Sequence, residues 1–117
     1  MSVNLHKRAV EKAEKVIHAG EIETHNSNWE AEKPTADEVN HFINTHFIEE
    51  YGLWFLGIDT SKPKNVKEHY VYPHGDLKEV QRSALVDSIK KAEKAGHKEI
   101  VDVAKRLLDM VDKRAKS

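Results

Sequence analysis

Apolar positions three and four residues apart recur through most of this chain, the period of an amphipathic helix with one buried stripe. Leu5, Ala9, Ala13, Val16 and Ile17 form the first stripe, with Lys7, Glu11, Lys12 and Glu14 outside it. A helix is therefore expected from Asn4, acting as N-cap, to Gly20, which can close the last turn in the left-handed conformation. Glu21 to Pro34 has no sustained period. It carries His25, Asn26, Ser27 and Asn28, whose side chains compete with helix for local backbone groups, and it reads as a loop anchored by Trp29.

Thr35 and Glu38 spell a capping box behind Pro34, so a second helix is expected there, with Val39, Phe42, Ile43 and Phe47 facing inward. The pattern continues through Tyr51 into Leu53, Trp54, Phe55 and Leu56, the densest apolar cluster in the chain, and predicts one long helix bent or straight at Gly52. Asp59 to Pro63 is a turn cluster. His69 to Tyr72 favours extended structure but is short and has no evident partner strand. Asp76 is expected to cap a helix from Leu77 to Ala95, and Gly96 to turn it sharply into a last helix from Lys98 to Lys113. The expected fold is all-α: one compact four-helix domain over residues 1–117, with a C-terminal helical hairpin and a long ordered loop, Asp59 to Asp76, packed over one end. Residues 1–3 and 114–117 are expected to fray.

Composition narrows the function classes. The 117 residues contain no cysteine, which removes disulfides, thiolate metal sites and a cysteine nucleophile, and fits a reducing compartment. No apolar run approaches the roughly 18 residues a membrane span needs, so a cytoplasmic location is expected. Charge is segregated. Glu21 to Asp59 holds nine carboxylates and one lysine, whereas Leu77 to Ser117 holds eleven bases against seven acids. The basic half offers Lys90, Lys91, Lys94, Lys98, Lys105 and Arg106 near a tight helix–Gly–helix connection, a possible nucleic-acid surface. Asp87, Glu93, Glu99, Asp102 and Asp109 interleave with them and would repel phosphate.

Eight histidines raise the question of a metal. His41 and His46 are five apart and fall on different faces of a helix, and no His-x-x-x-His is present. His69, His74 and Asp76 would converge only if their loop folded back, so no metal ligand is assigned and no cofactor is expected. Glycine-rich phosphate loops, nucleophile elbows and dinucleotide fingerprints are absent. The reading is a non-catalytic interaction or accessory module with an unspecified protein partner and oligomeric state. A nucleic-acid-binding protein is the alternative and a small metal-dependent enzyme the second alternative.

Trp54-Phe55-Leu56-Gly57-Ile58-Asp59, Lys67 with Tyr70, Tyr72-Pro73 and Gly75, and Val80 with Arg82 and Ala84-Leu85 stand in an order that resembles a group of small uncharacterised bacterial and phage-associated proteins. Similar runs occur in segments attached to phage head-maturation proteins. The likeness spans Ile17 to about Asp112 and departs at Asp76 to Glu79. It carries no known activity. It implies that Trp54 to Leu85 is the structural signature of the unit, with Arg82 pairing with Asp59 across the enclosed turn. Asp59, Tyr70, Tyr72, His74 and Arg82 are the candidate binding residues.

Overall fold

The structure is a computed structural model that describes residues 3–24 and 28–116. The expected loop positions His25, Asn26 and Ser27 lie outside the described residues, as do positions 1, 2 and 117. Along the chain come β1 (Val3–Leu5), α1 (Lys7–His18), β2 (Ile22–Glu23), α2 (Trp29–Glu32), α3 (Ala36–Thr45), α4 (Ile48–Gly52) and β3 (Phe55–Asp59). A short 3-10 turn (Lys67–His69) leads into β4 (Tyr70–Pro73), then β5 (Val80–Gln81), α5 (Arg82–Ala95) and α6 (Lys98–Lys116).

This is a mixed α/β fold, which corrects the all-α expectation. β1, β3 and β4 form an antiparallel sheet with β3 in the middle, and β2 pairs in parallel with β5. The long second helix fails first. Thr45 donates its hydroxyl back to the His41 and Phe42 carbonyls at 2.9 and 3.3 Å, and His46 Nδ1 donates to the Phe42 carbonyl at 3.0 Å. Both side chains fold back onto carbonyls of the last turn, which still keeps its backbone bond from His46 N to the Phe42 carbonyl at 2.9 Å, and the backbone at His46 is extended, so the helix stops there. Beyond α4 the Phe55–Asp59 segment finds a partner on each side: Leu5 opposite Gly57 on one edge, and Val71 opposite Gly57 on the other. The extended His69–Tyr72 run that lacked a partner in the sequence therefore has one.

Two helix starts also move. Asn4 lies in β1 and His6 takes the cap position of α1. Asp76 does accept from the Lys78 and Glu79 amides, at 3.1 and 2.8 Å, but this closes a turn rather than a helix. Leu77 sits at φ 73, and Val80 and Gln81 pair with β2, so α5 begins only at Arg82. At the ends, Val3 belongs to β1 and Arg114 to Lys116 to α6.

One face of the larger sheet is covered by helices. Val10, Ala13 and Ile17 of α1, Leu85 and Ile89 of α5, and Ile100, Ala104, Leu107 and Val111 of α6 join Trp54, Leu56 and Val80 in a single buried cluster. Trp54 is 5% exposed, and Lys12 Nζ lies 5.5 Å from its ring centre. Gly75 is fixed by close approach. A Cβ there would stand 2.3 Å from the Glu79 carbonyl oxygen and 2.6 Å from the Trp54 ring, so no larger residue fits. Gly96, at φ 80, turns α5 into α6 as expected, with His97 N bonded to the Ala92 carbonyl at 2.9 Å. No helix among the described residues is long and apolar enough to cross a membrane.

Candidate functional site

α3 lies at the margin of the fold and contributes no residue to the buried cluster. Its capping box is complete: Thr35 Oγ1 accepts from the Glu38 amide at 3.1 Å and Glu38 Oε1 from the Thr35 amide at 3.0 Å. The Thr35 amide first, and its hydroxyl second, hold the Glu38 carboxyl pKa below its ordinary value, so it stays charged. Yet α3 has no buried residue. Val39, Phe42 and Ile43 are only half-covered, and Phe47, expected to face inward, is 76% exposed at the corner before α4. Most amphipathic helices earn their stability by burying such a stripe, and this one leaves much of it in water.

A groove of about 380 Å³ runs between α3 and the Asp76–Lys78 turn. Pro34, Phe42 and Leu77 supply its apolar surface, and Asp37, Glu38 and Asp76 its carboxylates, against Lys78 as the one ammonium. His41 and His46 both line it, although a continuous helix would separate them. The helix ends at Thr45, and the His46 ring lies flat on Phe42, 4.0 Å between centroids and 7° from parallel. A second cavity, of about 170 Å³ and walled by Trp29, Val39, Tyr51 and Phe55, adjoins the groove through Pro34 and Leu77, which line both.

The sequence-nominated residues do not converge. Asp59 is held in its own turn, accepting from the Ser61 amide at 3.0 Å and hydroxyl at 2.6 Å. Tyr72, at φ 65, shares a 2.6 Å hydrogen bond between its hydroxyl and His97 Nδ1. His74 is completely buried beside Trp54, and its Nε2–H donates to the Leu53 carbonyl at 2.9 Å. Arg82 pairs with Asp112 at 2.8 Å, which replaces the expected bridge to Asp59. Tyr70 faces a cleft of about 280 Å³ that it shares with His6, Arg8, Glu49, Glu50 and His69. There His6 Nδ1 donates to the Phe55 carbonyl at 3.1 Å and His69 Nδ1 to that of Lys62 at 2.9 Å, so each imidazole also ties the loop or the sheet. Burial lowers the His6 pKa and raises that of Tyr70.

His69, His74 and Asp76 are separated: His69 stands at this cleft, His74 in the core, and Asp76 bonds its own turn and Gln81 Nε2. Among the described residues no group of three or more potential ligands is placed to hold a metal ion. Of the basic set, Lys91 bridges Asp87 and Glu30, Lys105 reaches Glu93, and Arg106 bonds Glu14 at 2.6 Å. Lys90, Lys94 and Lys98 are exposed. Sequence reasoning missed Phe47 and the groove, because the stripe on α3 looks the same whether or not something covers it. The available signal was the run of acids flanking so short a stripe. No family model, no curated protein and no solved structure matches the chain.

Proposed function

We propose that this chain is a non-catalytic interaction module that docks a protein partner through α3 and the α3–α4 corner, working in the cytoplasm. The observation that carries the reading is Phe47, 76% exposed beside a helix with no buried residue. A single exposed apolar side chain is ordinary, but here it continues a half-covered stripe bordered by a groove. Covering one such ring contributes about 1.5–3 kcal/mol toward holding a partner. A photo-cross-linking residue at position 47 tests this. It should capture one dominant protein, whose complex with the purified chain is lost in Phe47→Ser. Capture spread evenly over many proteins, or a complex indifferent to that substitution, contradicts the reading.

A second reading, nucleic-acid binding at the α5–α6 corner, draws on the exposed Lys90, Lys94 and Lys98. It has less support, because Lys91, Lys105 and Arg106 are engaged by carboxylates. Binding of mixed-sequence DNA that weakens steeply with salt and is abolished by a triple Lys90, Lys94, Lys98→Gln variant would promote it.

A further inference from the structure

Resting on the reading of α3 as a docking face, we propose that the groove beside it seats one cationic amphipathic helix of the partner, apolar side on Phe42 and Leu77, basic residues on the Asp37–Glu38 rim. Three observations lead there. The groove's floor is apolar and its rim is acidic, with Asp37, Glu38 and Asp76 against Lys78 alone. The stretch of chain that contains α3, Glu21 to Asp59, holds nine carboxylates and one lysine, so it is acidic on balance and favours a basic segment over an acidic one. Neither bank offers an unpaired strand. α3 bonds within itself, and the facing turn closes on its own atoms, Asp76 N to the Glu79 carbonyl and the Lys78 and Glu79 amides to Asp76 Oδ1. Strand addition therefore has no edge to use, and a helix laid alongside α3 meets the groove with side chains. The ten residues of α3 make a bank about 15 Å long, room for roughly three turns of the partner.

The probe is a helix-forming peptide with leucine at i, i+3, i+4 and i+7 and lysine elsewhere, compared with the same peptide carrying glutamate for lysine and with a scrambled leucine–lysine sequence. Each is titrated into the isotope-labelled full chain and followed by amide resonances. The ordered lysine peptide should shift residues of α3 and the Asp76–Lys78 turn, more strongly at low salt. Asp37→Lys should weaken it roughly three- to tenfold. Leu77→Asn, which suits the left-handed backbone at that position, should also weaken it while leaving the circular dichroism unchanged.

Equal binding of the scrambled peptide, shifts centred elsewhere, or indifference to Asp37→Lys overturns the proposal. If the glutamate peptide takes the groove instead, the charge assignment fails while the docking face stands. If α3 resonances move with protein concentration alone, the occupant is a second copy and the proposal falls. No response of α3 to any peptide overturns the helical occupant, and if no partner is captured at position 47 either, the docking face falls with it.

Discussion

Acid should destabilise this fold through one imidazole. His74 is fully buried, its Nε2–H is spent on the Leu53 carbonyl, and its Nδ1 has no hydrogen-bond partner. Adding a proton would create a buried cation with an unanswered N–H. Burial is the main cause that pushes its pKa from 6.5 down to about 4, and nearby His6 and Lys12 act in the same direction. The sign follows from proton uptake: between these values the unfolded chain binds a proton that the folded chain refuses. Stability is therefore full above pH 6.5 and is lost as pH falls toward about 4. At pH 5 the loss is about 2 kcal/mol, and below both values it approaches about 3 kcal/mol. Urea unfolding at pH 7.5 and 5.0 reads it, with His74→Gln as the non-titrating comparison. The variant should be weaker at pH 7.5 but should fall less steeply between the two pH values. An equal fall in both proteins refutes the argument. His6, also lowered by burial, leaves a smaller residual slope in the variant.

Gly75→Ala should cost about 1–3 kcal/mol in urea unfolding, because its Cβ meets the Glu79 carbonyl and the Trp54 ring; an unchanged midpoint would show that the turn can shift. Arg82→Met should cost less than about 1 kcal/mol, since the Arg82 and Asp112 side chains are 37% and 41% exposed; a double-mutant cycle with Asp112→Asn giving several kcal/mol would mean a far less solvated pair. Phe47→Ser should change stability by no more than about 0.5 kcal/mol in thermal unfolding, and a larger loss would place the ring in the core rather than on a docking face.

The helical half of the fold was legible because its signals are local. Thr35 and Glu38 form the expected capping box, Gly96 turns α5 into α6, and the Ile100–Val111 stripe is buried as its period requires. The sheet was not legible. β1, β2 and β5 are only two or three residues long, and Phe55–Asp59 is strand because Leu5 and Val71 flank it, a fact about distant parts of the chain. Trp54 was placed inside correctly, but on the approach to a strand rather than on a helix. The surroundings of the candidate residues were not legible, since hydropathy does not report which side chains the tertiary fold covers. His74, a candidate binding residue, is walled in behind Trp54, and Phe47, expected to face inward, stands in water.

The central claim, that α3 and its corner form the working face, is tested most directly by amide hydrogen exchange on the chain alone and with the partner captured at position 47. The account predicts fast exchange over residues 39–47 in the free chain and strong slowing there in the complex, with α5 and α6 unchanged. Slowing confined to the Lys90–Lys98 corner, with α3 exchanging as before, would contradict it.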